Sequence, residues 1–398
     1  MNRFVLDKKI LGTEKNFIID NGFYSWSTSL PRDTWHMSGE CKNNSTARCL
    51  DTLLRLVNVN LPTIPKKYLE SFVGLIPPGN TVQWQLAVPQ NVFKEYFKNL
   101  VDVTKQHFSS LPFDYFEMTW PSGSRVLNSL RPAKINIQRW SYLSEVSGSS
   151  PAVESFRPNK TGYAAVPEYD RFGTRTGRLT VKSGANIHVL KRENRNLIMS
   201  SFDDGKIVSL DFRALEARVI LAEAGKSSDA EDLYGYIANN VCGGADRNTV
   251  KTAVISELYG ASKGSLSQRL QMNSEEVNRF VQNIRSYFGT PLLRERLKLQ
   301  LEKNGKIYNR FGRPLFIDTK ASNLLVNTYA QSTGADVSLL GFDAILQKIG
   351  SDGIRPLFVL HDAIILDVRG DRISDVQSVL SVPIPSYDME FPLKFELV

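Results

Sequence analysis

Long apolar runs are missing from this 398-residue chain. A helix that spans a bilayer needs about 20 consecutive apolar residues. The N-terminus, Met-Asn-Arg-Phe-Val-Leu-Asp-Lys-Lys, also lacks the continuous apolar core of a secretory signal, so a membrane or exported protein is not expected. Cysteine is scarce. Cys41, Cys49 and Cys242 are too few and too scattered for a disulfide framework or a cysteine-rich zinc site, and they fit a reduced, intracellular setting. Tryptophan is absent after Trp140: all five (Trp26, Trp35, Trp84, Trp120, Trp140) fall in the first part of the chain. No internal repeat and no low-complexity tract is present.

What is there is an ordinary globular composition, with 42% hydrophobic and 23% charged residues and a length that suits two or three domains. Lys and Arg number 49 against 41 Asp and Glu, a net charge of +8 that is moderate but compatible with a polyanionic partner. The Trp-rich part is broken at Leu61-Pro62, Ile64-Pro65, Pro77-Pro78-Gly79, Leu111-Pro112 and Trp120-Pro121-Ser122-Gly123. Between the breaks, Phe93, Tyr96, Phe97, Leu100 and Val101 recur at helical spacing and predict a helix over Val92–Phe108. Gly148-Ser149-Ser150-Pro151 reads as a linker.

Beyond Gly177 the pattern changes. Lys206-Ile-Val-Ser-Leu-Asp211 predicts a buried strand ending in a carboxylate, followed by a helix over Leu215–Ala224. Residues 246–260 predict a helix with Asp246 as N-cap and Gly260 as its stop. Two more amphipathic helices are expected over Ser274–Phe288 and Pro291–Lys303. The apolar runs Leu357–Leu360 and Ile364–Val368 flank a short polar turn and predict a hairpin.

Four groups of residues carry chemistry. Asp211 at the mouth of a buried strand suits a metal ligand, and an ordinary helix N-cap is the alternative. His361-Asp362 at the hairpin tip presents a second carboxylate, although Asp is common in turns. Two such groups could hold a pair of Mg²⁺ ions about 3.5–4 Å apart. Arg247, Lys251, Ile255 and Tyr259 recur every four residues; each step advances about 400° around a helix, so they form one stripe. Such a stripe can meet a nucleotide lengthwise, cations on the triphosphate, apolar and aromatic groups on sugar and base. A solvated cationic end on a core helix is the plainer alternative. Asn327 and Gln331, also four apart, could donate to minor-groove acceptors shared by all base pairs, or simply form a polar stripe on a surface helix.

Order and spacing say more than any one group. The series Asp211…Glu216, Arg247-x₃-Lys251-x₇-Tyr259-Gly260, Asn327-x₃-Gln331 and His361-Asp362 resembles the polymerase module of family A DNA polymerases of the phage, plasmid or bacterial kind. Thr174-Arg-Thr-Gly-Arg178-Leu-Thr resembles the family's Thr-Gly-Arg-Leu-Ser segment, Asp232-Leu-Tyr234 its Asp-Ile-His motif, and Arg313-Pro-Leu-Phe its Arg-Arg-Leu course. The resemblance covers roughly residues 165–398 and not the Trp-rich part. It implies an α+β right-hand fold: an antiparallel palm sheet, helical fingers, and a mostly helical N-terminal thumb or thumb replacement. The implied divisions are 1–150 for the N-terminal region, 151–235 and 306–398 for the palm, and 236–305 for the fingers.

By the same resemblance, Asp211 and Asp362 would bind two Mg²⁺ ions, with Mn²⁺ as a substitute. Glu216 would exclude a 2′-hydroxyl. Arg247 and Lys251 would hold the triphosphate, and Lys251 would protonate the leaving pyrophosphate. Tyr259 would sit under the templating pair. Arg178, Asn327, Gln331 and His361 would track the primer–template, and Tyr234 stands where the family usually has a phosphate-contacting His. Three departures bear on nucleotide discrimination: Ile255 replaces an aromatic residue, Ser256 a Gly, and Ala363 the Glu that follows His-Asp. The expected partners are primer–template DNA and dNTPs, with no membrane, a monomeric state, and no helicase, primase or processivity factor identifiable. Asp20 has no acidic partner two residues on, and the length leaves little room for an exonuclease domain, so proofreading is not expected. A single-subunit RNA polymerase and a degenerate, DNA-binding scaffold are the rival readings.

Overall fold

The computed structural model describes residues 3–31, 34–39, 48–65, 67–68, 70, 83–146, 148–228, 230–318 and 324–398. Cys41, the Pro77-Pro78-Gly79 break and Asn323 lie outside them. The chain forms two units, Met1–Ser124 and Arg125–Val398. Among the described residues no helix is long and apolar enough to cross a membrane.

The first unit contains a four-stranded sheet of β1 (Arg3–Leu6), β2 (Asn16–Asp20), β3 (Phe23–Ser27) and β4 (Trp35–Met37), in the order β3-β2-β1-β4. Asn21 and Gly22 both have positive φ (47° and 91°) and form the tight turn between β2 and β3. Asn-Gly is the strongest short-range hairpin signal. This sheet departs from the mostly helical region expected from the sequence. Its cause is alternation: Phe17 and Ile19 are buried, and Phe4, Val5 and Leu6 are buried beside them. Helix α1 (Gln90–Phe108) includes the expected helical span, and its Phe108 stacks on Phe4 with centroids 5.2 Å apart.

The second unit is organised by a five-stranded sheet: β5 (Lys206–Phe212), β6 (Ile354–Leu360), β7 (Ala363–Val368), β8 (Ser381–Pro383) and β9 (Glu390–Leu397), in the order β6-β7-β5-β9-β8. Every pairing is antiparallel. Side chains alternate between the faces of a strand. Val208, Leu210 and Phe212 of β5 therefore share one core with Ile364, Leu366, Phe391 and Leu393, covered by Val337 and Phe342. The opposite face buries Ile207 and Ile365 in a second core with Phe156, Ile187 and Leu197. Farther along that face, Ser209, Asp211 and Ala363 line an open cavity instead.

Helices α2 (Leu215–Glu223), α3 (Leu233–Asn240), α4 (Arg247–Leu258), α5 (Lys263–Leu270), α6 (Ser274–Phe288), α7 (Thr290–Asn304) and α8 (Leu325–Ile349) follow. Ile220, Ile237, Val254, Ile284, Leu297 and Leu325 are among the residues of their common core. Asp246 caps α4 by accepting from the Thr249 N–H at 2.8 Å, and Gly260 (φ 71°) ends it, as the sequence predicts. Gly148-Ser149 is a turn inside the second unit. The division falls earlier, within the helix Trp120–Ser129, because Val126, Leu127 and Leu130 join the sheet core and Lys134–Ile135 pairs with Ile198–Met199.

Arg218 of α2 is fully buried. Its guanidinium donates to the carbonyls of Arg213 (3.0 Å), Ser228 (2.7 Å) and Ala230 (2.5 Å), tying the segment before α3 to α2. Arg218→Met keeps the stem and strands these carbonyls, so unfolding in urea should show a loss of about 3 kcal/mol. A loss below about 1 kcal/mol would mean that the buried cation is not what fixes this segment.

Candidate active site

Asp211 lies near the end of the central strand β5, opposite Ala363 of β7 on one side and Lys394 of β9 on the other. Asp362 belongs to the two-residue turn between β6 and β7, and its carbonyl accepts from the Phe212 N–H at 3.0 Å. His361, the other turn residue, has φ 55°, and Ala214, just after β5, has φ 52°. Left-handed backbone is unfavourable for non-glycine residues by about 1–2 kcal/mol. His361 is the immediate neighbour of Asp362, and Ala214 is the N-cap of α2, three residues past Asp211; the surrounding sheet and helices hold both in place.

Electrostatics set the two carboxylates apart from ordinary aspartates. Burial, then the charge of Asp362, then that of Glu396 push Asp211 up to about 7, with Lys394 opposing. Asp362 is also raised, chiefly by burial. Oδ1 of Asp211 is buried without a hydrogen-bond partner. An orphaned carboxylate oxygen beside a second carboxylate is an oxygen-only donor set that suits a hard divalent cation, which would fill its remaining positions with water and substrate oxygens. Among the described residues no group of three or more His, Cys, Asp or Glu side chains is placed to hold a metal, so the fit rests on these two carboxylates.

A cleft of about 460 Å³ opens beside them. Asp211, Asp362, Glu216, Arg178, Tyr234, Arg247, Lys251, Ile255 and Tyr259 all line it, so the predicted stripe faces the predicted carboxylates. Tyr259 stands just past the last turn of α4, as its C-cap, and is 39% exposed. Arg247 holds Asp232 through its Nε at 2.5 Å, which depresses the Asp232 carboxyl. The Lys251 ammonium lies 5.9 Å from the centre of the Tyr234 ring. Burial, with the nearby Glu216 charge, pushes the Tyr234 hydroxyl up to about 12. Ser256 is buried and its hydroxyl accepts from Arg269 at 3.4 Å, so the helix accommodates the residue that replaces glycine.

Glu216 pairs with the Arg178 guanidinium. Burial raises the Glu216 carboxyl, and Arg178 and the Tyr259 side chain oppose the rise. Arg178 is aimed there by its neighbour. Gly177 has φ 80°, and a Cβ on it would come within 2.6 Å of the Arg313 guanidinium carbon. Only glycine combines that backbone with that approach. Arg178, Glu216, Gln331, His361 and Asp362 also line a small pocket of about 40 Å³ on the α8 side. Asn327 stands apart: it is half-buried on α8, its Oδ1 buried without a partner, and it lines neither cavity. α8 is no surface helix, for most of its residues are buried.

Three residues at this site were not singled out from the sequence. His188 packs its ring 4.8 Å from that of His361 and lies with Nε2 3.0 Å from the Val359 carbonyl, bracing the turn. Lys394 enters the cleft from β9, and Glu396 stands near Asp211 on the same strand. Strand pairing brings Lys394 and Glu396 in from far along the chain, whereas His188 arrives on a turn. The triplet Phe-Pro-Leu before Lys394 marks an apolar run but not its partner.

The chain is also similar to known proteins. The family described as DNA polymerase family A matches residues 122–397, more than two thirds of the chain. DNA polymerase I, thermostable, of Thermus thermophilus is 25% identical over 218 residues, 48% of this chain and 26% of that protein. DNA polymerase I of Chloroflexus aurantiacus is 24% identical over 262 residues, 58% of this chain and 28% of that one. The DNA polymerase of Mycobacterium phage D29 is 25% identical over 186 residues, 43% and 30% of the two chains. The matched region is thus less than a third of each of these relatives. Among solved structures, the POL domain of Pol1 from M. smegmatis, in complex with DNA primer-template and dNTP, has a TM-score of 0.57 at 14% identity, covering 89% of this chain and 79% of that one, a likeness of fold. The chain belongs to DNA polymerase family A.

Proposed function

We propose that this chain is a template-directed DNA polymerase that extends a primer 3′ end with deoxynucleotides. One observation carries the reading: a pair of half-buried, adjacent carboxylates shares a single cleft with a helical stripe of two cations, an apolar and an aromatic side chain. The reaction is a displacement. The primer 3′-hydroxyl gives up its proton to water, its oxygen forms a bond to the α-phosphorus, the bond from that phosphorus to the bridging oxygen breaks, and pyrophosphate leaves with a proton that Lys251 can supply. Two Mg²⁺ ions, or Mn²⁺, held by Asp211 and Asp362, would supply Lewis acidity and neutralise charge.

The chain's own residues do the rest. Arg247 and Lys251 hold the triphosphate, and Arg247 must first exchange its contact with Asp232 for phosphate oxygens. Ile255 offers the sugar and base a flat apolar contact, and Tyr259 supports the templating pair. Glu216, fixed by Arg178, closes the floor of the sugar pocket against a 2′-hydroxyl. Arg178, Gln331 and His361 border the primer terminus, with Asn327 farther along the minor groove. Tyr234 fills the place between Lys251 and Glu216.

Wild-type protein should extend a primer in the presence of Mg²⁺. Asp211→Asn and Asp362→Asn should each slow extension by on the order of 1000-fold while gel-shift affinity for primer–template persists. Extension that survives either change at the wild-type rate would remove the carboxylate pair from the reaction. Glu216→Ala should raise the use of rNTP relative to dNTP by on the order of tenfold or more in single-nucleotide incorporation. An unchanged ratio would clear Glu216 of that role.

Acidity gives a third expectation. Without metal, the folded chain keeps a proton on Asp211 between the ordinary aspartate pKa and about 7, where the unfolded chain has lost it. The stability from this group therefore falls as pH rises through that window and is level above it. A metal ion must displace the same proton. Mg²⁺ should therefore raise the melting temperature more at pH 8 than at pH 6, as read by thermal-shift titration, and Asp211→Asn should abolish the difference.

A further inference from the structure

Lys394 stands where a strand register, not a sequence motif, has put it. On β9 it is the direct cross-strand partner of Asp211, and it lines the cleft whose far wall carries Arg247 and Lys251 of α4. Its side chain is 49% exposed and is paired with Glu396, two residues on and therefore on the same face of the strand. Glu396 is not committed to Lys394 alone, since Arg192 reaches it at 3.6 Å. If Lys394 swings away, Glu396 keeps a counter-cation, so the exchange leaves no carboxylate unpaired. This is a cation that can be released at little cost into a cleft that Arg178, Arg213, Arg247 and Lys251 also line.

We propose that Lys394 is a nucleotide-binding residue, gripping the phosphates of the incoming deoxynucleoside triphosphate from the sheet side while Arg247 and Lys251 grip them from α4. This rests on the polymerase reading of the cleft. The polyanion is then held between two elements that belong to different parts of the unit, β9 and α4, and its position over Asp211 is fixed from both. A flexible four-carbon stem suits this task, because the ammonium must reach from its resting place at Glu396 to a ligand held over the neighbouring strand.

The test is calorimetric titration of Mg²⁺-dATP into the full chain bound to a primer–template with a dideoxy-terminated primer and a templating T, which reads binding without chemistry. Lys394→Met should weaken dATP binding by about tenfold, the loss of one charge-assisted contact. Lys394→Gln should do the same, Lys394→Arg should restore most of the affinity, and affinity for the primer–template should not change. Equal dATP affinity in wild type and both neutral variants would overturn the proposal. So would a gain in Mg²⁺ affinity in the neutral variants with dATP binding unaltered, since Lys394 would then act only as the counter-ion of Asp211. If the wild type binds dATP in this way but extends no ordinary primer, the polymerase reading fails and the assignment of Lys394 stands.

Discussion

Two carboxylates set side by side in a half-buried corner repel one another and lose much of their hydration, and the second unit is built around holding them there. β5 does so by being the middle strand. It is hydrogen-bonded to β7 on one side and β9 on the other, and Val208, Leu210 and Phe212 anchor it in the core on one face. Asp211 therefore cannot retreat from Asp362 without breaking pairs on both sides. The opposing cations stand outside the pair: Arg178 on Glu216, Lys394 on Glu396, Arg247 on Asp232. Each is engaged by a carboxylate other than the central two, although Lys394 still tempers the rise at Asp211 and Arg178 that at Asp362.

The cleft shows how the departures from the family pattern are absorbed. Ile255 still lines the cleft in the place where the family usually has an aromatic ring, and Ser256 is buried in the helix with a polar partner. Ala363 stands opposite Asp211 where the family usually has a carboxylate, and Glu396 lends Asp211 negative charge from the other flanking strand.

Much of this could be read locally. The cap at Asp246, the stop at Gly260, the strand ending in Asp211 and the two-residue turn at His361-Asp362 are short-range signals, and the structure places them where the residues indicate. Relations between distant segments were not legible. Nothing near Lys394 says that it faces Asp211, because register is a property of two strands at once, and nothing near His188, in a turn, says that its ring meets His361. The N-terminal sheet is a different case: Asn21-Gly22 between alternating runs was a local hairpin signal, outweighed by the prominent helical period of α1. The unit boundary was hidden because a turn at Gly148-Ser149 has the composition of a linker, whereas the real division lies inside a helix.

The two carboxylates also differ mechanically. Asp211 rides on a strand pinned along both edges, so its position is stiff. Asp362 rides on a two-residue turn that contains a left-handed histidine, a conformation that persists only because its surroundings hold it. What holds the turn lies outside its own hairpin, in the Phe212 N–H donated to the Asp362 carbonyl and in the His188 ring packed on His361, so the second carboxylate is placed by contacts and the first by a ladder.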